Sequence, residues 1–149
     1  MTKYIKTAVI EPEQFDGSQQ MIEKYTITPP MPFDPDYTME TLEGPMLLAV
    51  GDWIATGVNG EHWAIKDDIF KRTYTELPMI PKVVADWIDH CKTKEKSLNY
   101  SMSAVFFQNF VIENLPEDNP LIYWIRFGEN QATFARAWLD GYQVEATDD

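Results

Sequence analysis

The sequence offers few side chains for catalysis, because it contains only two histidines and one cysteine. Cys91 directly follows His90, but neighbouring residues on a helix point about 100° apart, so the two do not form a catalytic dyad by themselves. The serines form no G-x-S-x-G elbow. Cys91 also lies on an apolar helical stripe, which favours a plain core thiol. The sequence therefore predicts a protein that is not an enzyme and needs no cofactor.

Two groups of acids and histidines have spacings that a metal site could use. Asp86 and His90 are four residues apart on a predicted helix, where such a pair is usually a solvated contact on the polar face. His62 precedes Asp67 and Asp68, and an outward-facing His62 would allow a weak cation site there. Neither group matches a ligand motif of known geometry. No metal site is predicted.

Gly51, Gly57 and Gly60 fall in one short stretch, AVGDWIATGVNGEHWAI, and raise the question of a phosphate site. Their spacing is not G-x-G-x-x-G, no Gly-Lys-Ser/Thr follows, and the residues after them predict strands rather than a helix N-terminus. The stretch instead predicts a three-stranded meander, with Gly51-Asp52 and Asn59-Gly60 as two-residue hairpin turns. These glycines are therefore interpreted as turning the chain.

Residues 1–77 predict a β-rich module of about five strands, of small-barrel type. An opening strand over Lys6–Glu11 is confined to an edge position by Pro12. A short helix with Ser18 as its N-cap follows, then the proline-rich loop TPPMPFDPDYT, and later a helical turn, KDDIFKRTY. The residues predicted to pack inward from the two helical segments are Met21, Ile22, Tyr25, Ile69, Phe70 and Tyr74.

Residues 78–149 predict a helical module, because the apolar spacing changes to that of helices after Leu77/Pro78. Its segments are PKVVADWIDHCK with Pro81 in the first turn, LNYSMSAVFFQNFVIENL, LIYWIRFG, and a last helix from the N-cap Asn130 to Gly141. The acidic tail QVEATDD is predicted to fray. The predicted core residues are Val83, Val84, Trp87, Ile88, Cys91, Met102, Val105, Phe106, Phe110, Val111, Phe134, Trp138 and Leu139. The predicted fold is α+β, with the two modules packed together.

The charge is the strongest global signal, because 24 acids against 12 lysines and arginines give a net charge of −12. Such a surface repels phosphate backbones, so direct nucleic-acid binding is not expected. The single cysteine excludes an internal disulfide, and no apolar run is long enough for a transmembrane helix. A reducing cytoplasm without membrane contact is the expected location. The charge serves either solubility or recognition of a basic partner, and composition leaves both open.

Two blocks of the second half, VADWI at Val84–Ile88 and ARAWLDGY at Ala135–Tyr142, resemble a family of unknown function. That family is encoded by phages and prophages of lactic-acid bacteria and related Gram-positive hosts, and the resemblance covers residues 78 to 145. In the first half, the blocks at Gly51–Glu61 and Asp68–Tyr74 resemble another recurrent phage sequence, as does VIEPEQFDGS near the start. The resemblance implies a phage origin and a location in the host bacterial cytoplasm. It brings no catalytic residues.

The absence of catalytic motifs, the negative charge and the five Trp, seven Tyr and eight Phe predict a non-enzymatic phage accessory protein. It would act by binding a host or phage protein with a basic surface. The specific hypothesis is a DNA-mimic-like inhibitor of a host defence or nucleic-acid-handling protein, such as a CRISPR nuclease or a restriction enzyme. The acids predicted to contact this partner are Asp67, Asp68, Asp86, Asp89, Glu117 and Asp118.

Two other functions stay open at this point. A protein that sequesters a nucleotide signal would stack the base on an aromatic ring and gather basic side chains around the phosphates. The basic residues available for such a pocket are Lys66, Lys71, Arg72, Arg126 and Arg136. A structural or housekeeping role in the phage would make the acidity a matter of solubility alone. The sequence leaves open the oligomeric state and the face that binds.

Overall fold

The computed structural model describes residues 1–106, with only the backbone of Phe106, and residues 119–146. The chain divides into two compact units, Met1–Thr75 and Glu76–Asp149. The predicted α+β class is confirmed. The assignment of separate domains at 1–77 and 78–149 stays a prediction. Phe110, Val111, Glu117 and Asp118 lie outside the described residues.

The first unit consists of two antiparallel three-stranded sheets and two short helices. Sheet A has the strand order β1-β5-β6 and sheet B the order β2-β3-β4. The strands are β1 Glu11–Gln14, β2 Ile27–Thr28, β3 Tyr37–Thr41, β4 Gly44–Leu48, β5 Trp53–Thr56 and β6 His62–Ile65, and the helices are α1 Gln19–Lys24 and α2 Asp67–Thr73.

The two sheets and α1 share one apolar core, but they do not close into the predicted barrel. β4 and β6 are edge strands of different sheets, and the Ala64 N–H donates to the Met46 thioether at 3.2 Å rather than to a backbone carbonyl of β4. Pro45 also deprives β4 of one backbone donor. The buried residues of this core are Phe15, Met21, Tyr25, Ile27, Met39, Leu48 and Ile54.

The hairpin predicted between β5 and β6 is confirmed, but its turn differs from the prediction. The Gly60 N–H donates to the Gly57 carbonyl, and the Gly57 N–H donates to the Glu61 carbonyl. Gly60 has φ +78°, whereas Asn59 does not have a positive φ. The connection is therefore a three-residue loop closed by one left-handed glycine, not a two-residue Asn-Gly turn.

The predicted pairing of MLLAV with WIATGV is wrong, because β4 pairs with β3 and β5 pairs with β1 and β6. The chain crosses between the sheets in a turn where the Asp52 N–H donates to the Ala49 carbonyl. Gly51, at φ +99°, occupies the second central position of this turn instead of the first. The buried Asp52 carboxylate accepts the Ala49 N–H and the Lys66 ammonium, both at 2.9 Å, and so holds the turn.

The opening strand lies further along the chain than predicted. β1 begins only at Glu11, which lies opposite Thr56 at the end of β5, so residues before Glu11 have no strand to pair with in this sheet. Its edge position near Pro12 is confirmed. The N-cap at Ser18 is also confirmed, since its Oγ accepts the Met21 N–H at 3.3 Å.

The outer face of sheet A is covered by α2. Phe70 stacks on Trp53 with ring centroids 4.1 Å apart, and Tyr74 stacks on Phe70 at 5.2 Å. Ala55, in the middle of the sheet, is fully buried. Ile69 is 42% exposed, so its predicted inward position is wrong: the short helix covers the sheet with Phe70 instead. Sheet A is therefore covered on both faces.

The second unit packs its helices around one core and adds a small parallel sheet. The predicted fraying of the tail is wrong at Gln143 and Glu145. The Gln143 N–H donates to the Pro78 carbonyl, and the Glu145 N–H donates to the Ile80 carbonyl. The described elements are β7 Met79–Ile80, α3 Lys82–Thr93, α4 Leu98–Phe106, α5 Pro120–Ile125, α6 Gly128–Asp140 and β8 Gln143–Val144.

Most of the predicted helical pattern of this unit is confirmed. The α3 stripe is buried, with Val83 half-buried, and LIYWIRFG forms α5. Asn130 is not the N-cap of α6, because the helix begins at Gly128 and the Asn130 amide donates to the Trp124 carbonyl at 2.9 Å. Gly141, at φ +101°, ends the helix as predicted. Leu139 is 72% exposed and so does not face the core.

Glu13 is expected to make the first unit acid-sensitive. It accepts hydrogen bonds from the Lys24 ammonium at 2.7 Å and the Tyr25 hydroxyl at 2.6 Å, and these hold its pKa below the ordinary 4.5. Since the folded pKa is lowered, the stabilisation is present above the unfolded pKa and is lost as pH falls through the folded pKa. Between about pH 6 and about pH 3 we expect the urea midpoint to fall more in the wild type than in Glu13→Gln. Glu11→Gln, on the same strand, should behave like the wild type.

Candidate functional site

Sheet B has one face in the core and the other open to solvent. Met39 is fully buried, so the alternation of side chains along β3 puts Thr38 and Glu40 on the outer face. Thr38 lies opposite Leu47 and Glu40 lies opposite Pro45, which places all four on that face. Leu47 is 62% exposed, and Glu40 and Pro45 are exposed as well. Unlike sheet A, this sheet presents a mixed outer surface of apolar, polar and acidic side chains to solvent.

Two tight turns flank β3 and expose further apolar and acidic side chains. Met31 and Asp34 exchange two backbone hydrogen bonds, of 2.7 and 3.0 Å, which leave Phe33 at the tip fully exposed. The turn between β3 and β4 exposes Leu42 in the same way. We refer to the outer face of sheet B together with the exposed residues of the two flanking turns as the acidic face; its residues are Met31, Phe33, Asp34, Asp36, Thr38, Glu40, Leu42, Glu43, Pro45 and Leu47.

The four acids of this face carry uncompensated charge. Asp34, Asp36, Glu40 and Glu43 are exposed, and none of them forms an ion pair with another described residue. At about 3.4 Å per strand residue, Asp36 and Glu40 are about 14 Å apart, so the potentials of these acids overlap at low salt. The ion pairs of the described residues lie elsewhere: Lys24–Glu13, Lys66–Asp52, Lys71–Asp67, Arg72–Asp68 and Lys82–Asp86.

Asp67 and Asp68 lie together at the start of α2, where a negative charge interacts favourably with the helix dipole. Asp67 accepts hydrogen bonds from the Lys71 ammonium at 2.8 Å and the Trp53 indole at 2.9 Å, and these hold its pKa below the ordinary value. Asp68 pairs with Arg72 at 3.5 Å. Asp67 thus links α2 to Trp53 of sheet A. Lys71 and Arg72 of the same helix offset the charges of Asp67 and Asp68.

The other sequence-predicted acids belong to the second unit. Asp86 pairs with Lys82 at 2.7 Å on α3, and the exposed Asp89 lies nearly one turn further along that helix. Glu117 and Asp118 lie outside the described residues. All six stay predictions of partner contacts. The proline-rich stretch TPPMPFDPDYT predicts a loop up to Thr38, so the strand that carries the acidic face is not predicted. The alternation of side chains in YTMET at Tyr37–Thr41 is the signal that indicates this strand.

The basic side chains proposed for a phosphate pocket are already engaged. Lys66, Lys71 and Arg72 each pair with a carboxylate. Arg126 lies over the Tyr123 ring at 5.5 Å, and Arg136 donates to the Glu76 carbonyl. Carboxylates therefore offset three of these five charges, whereas Arg126 and Arg136 have no carboxylate partner among the described residues. The offset of Lys66, Lys71 and Arg72 weakens the support for the nucleotide-sequestering alternative.

His62 and Cys91 have structural surroundings. The Thr56 hydroxyl lies 2.9 Å from the His62 Nδ1, and the Tyr25 ring meets the imidazole edge-on at 5.1 Å. Cys91 is fully buried in the core of the second unit, as expected for a core thiol. Among residues 1–106 and 119–146, no three His, Cys, Asp or Glu residues are grouped as a metal site, and no helix is long and apolar enough to cross a membrane.

Comparison with known proteins gives one match. No curated protein and no solved structure matches this chain. Residues 75–148 match the model of a family described as "Protein of unknown function (DUF1642)". The lactic-acid-bacterial hosts and the resemblance of the first half stay predictions. The match shows that the second unit is similar to a family of unknown function typical of phage proteins.

Proposed function

We propose that this protein is a non-enzymatic phage accessory protein that binds a basic protein surface in the host cytoplasm. The observation that carries the proposal is the acidic face, where four exposed acids without an ion-pair partner among the described residues, Asp34, Asp36, Glu40 and Glu43, occur together with exposed apolar side chains. Apolar and aromatic anchors with a charged rim are the usual composition of a protein interface. Phe33, fully exposed at the tip of its turn, is the natural anchor.

The negative charge of the acidic face favours a partner with a positively charged surface. Carboxylates without an ion-pair partner among the described residues attract a positively charged surface, speed the encounter and repel acidic competitors. A basic groove that binds DNA is such a surface, so the specific form of the proposal is an inhibitor of a host defence or nucleic-acid-handling protein. A CRISPR nuclease or a restriction enzyme belongs to this class.

The proposal is tested with two variants that carry the same change in charge. One neutralises the acidic face (Asp34→Asn, Asp36→Asn, Glu40→Gln and Glu43→Gln), and the other neutralises Asp67, Asp68, Asp86 and Asp89 to asparagine. Tagged proteins are captured from a Gram-positive host at low and moderate salt, and the affinity and association rate of the captured protein are then measured with each variant. We expect the first variant to slow association about tenfold and to flatten its salt dependence, and the second to change both much less.

Three results separate the possibilities. A loss confined to the second variant would move the interface to the sequence-predicted acids. An equal loss in both would mean that only the net charge matters. If neither variant changed affinity or salt dependence, the acidic surface would not be the binding surface.

A further inference from the structure

Lys6 is held on an aromatic surface, although the segment around it is open. Its ammonium lies 4.8 Å from the centroid of the Trp63 ring, 6.0 Å from that of Tyr74, and 3.4 Å from the Tyr74 hydroxyl. Within residues 1–10 only Lys6 forms a hydrogen bond or a cation–π contact. Tyr4 and Ile5 beside it are 90% and 84% exposed. The ammonium contact is thus the polar interaction that ties this segment to the unit.

The same ammonium borders a cavity of about 390 Å³ between the β3–β4 and β5–β6 hairpins. We refer to it as the hairpin cavity; its lining residues are Lys6, Thr41, Leu42, Glu43, Met46, Glu61, His62 and Trp63. The Trp63 ring and the exposed Glu43 carboxylate supply the two elements of an ammonium site, an aromatic face and negative charge. The Glu61 carboxylate accepts the Asn59 N–H of its own loop at 2.9 Å. Leu42 and Glu43 belong to both the hairpin cavity and the acidic face.

We propose that the hairpin cavity is a binding site for a lysine side chain and that Lys6 occupies it as an internal substitute. A partner lysine would place its ammonium on Trp63, in the cavity that Glu43 also lines, and displace Lys6. This deepens the proposed function and rests on it for the partner, because the cavity adjoins the acidic face through Leu42 and Glu43. The specificity is for a primary ammonium on an extended aliphatic stem.

Displacement of Lys6 has a low cost in this fold. The residues before Ile10 are exposed and form no strand, so release of Lys6 breaks no backbone pairing. Trp63 is held independently of Lys6, because it lies in β6 opposite Ala55. An incoming lysine therefore replaces one cation–π contact by another, in a cavity whose lining includes the Glu43 carboxylate.

The test uses N-acetyl-Gly-Lys-Gly-amide as the probe and the norleucine peptide as its uncharged counterpart. Binding is followed by NMR at the Trp63 indole N–H, which is assigned with Trp63→Phe. We expect Lys6→Ala to bind the lysine peptide about fivefold more tightly than the wild type does, which corresponds to about 1 kcal/mol. The norleucine peptide should not shift the signal of either protein.

Lys3→Ala is the matched control, because it removes the same charge from the same segment and should bind like the wild type. Glu43→Gln, on an exposed turn, should weaken binding to Lys6→Ala without affecting folding. Equal affinities of Lys6→Ala, Lys3→Ala and the wild type would overturn the proposal, as would equal binding of the norleucine peptide. The titration involves no partner protein, so it can fail or succeed independently of the proposed function.

Discussion

Phe134→Ala is expected to lower the free energy of unfolding of the second unit by about 3–5 kcal/mol. Phe134 is fully buried in the core that α3, α4, α5 and α6 form, and its truncation removes apolar burial and leaves a cavity. Because domains are stable by only about 5–15 kcal/mol, this change consumes a large part of the total. Urea unfolding followed by circular dichroism measures the loss.

Leu139→Ala provides the control on the same helix. Leu139 is 72% exposed, so its truncation should change stability by less than about 0.5 kcal/mol. Comparable losses in the two variants would mean that α6 buries a different face. The contrast also explains an error of the sequence interpretation, since five helical steps turn the side chain by about 140° from Phe134.

The fold was predictable where local sequence decides structure. The α3 stripe, the N-cap at Ser18 and the stop at Gly141 follow from periodicity and backbone chemistry within a few residues. Strand pairing depends on residues far apart in the chain. The consecutive strands β4 and β5 read as a hairpin, yet each finds its partner in a different sheet because Asp52 and Gly51 redirect the chain between them.

The candidate site shows the same difference between local sequence signals and contacts that depend on strand pairing. Counting acids predicts partner contacts at Asp67, Asp68 and Asp86, although each has a cation four residues away on its own helix. That spacing is visible in the sequence and was the signal that these charges are offset. The alternation in YTMET predicts that Thr38 and Glu40 share one face of a strand, but the sequence does not show that this face stays open, because that depends on the pairing of β3 with β2 and β4.

Ile54→Ala is expected to lower the stability of the first unit by about 2–5 kcal/mol. Ile54 is fully buried in β5, the central strand of sheet A, and packs in the core shared by both sheets. Val58→Ala is the control on the same hairpin, because Val58 lies in the loop and is 81% exposed. A large loss in Val58→Ala, or none in Ile54→Ala, would contradict this assignment of the core.

Combining Ile54→Ala with Phe134→Ala tests whether the two compact units are separate domains. If they unfold independently, calorimetry of each single variant should lower one thermal transition and leave the other in place. The losses in the double variant should then add within about 0.5 kcal/mol, as expected for distant sites without shared partners. A single transition that both variants lower, with losses that do not add, would mean that the chain unfolds as one cooperative unit. The boundary near residue 76 would then separate two parts of one domain.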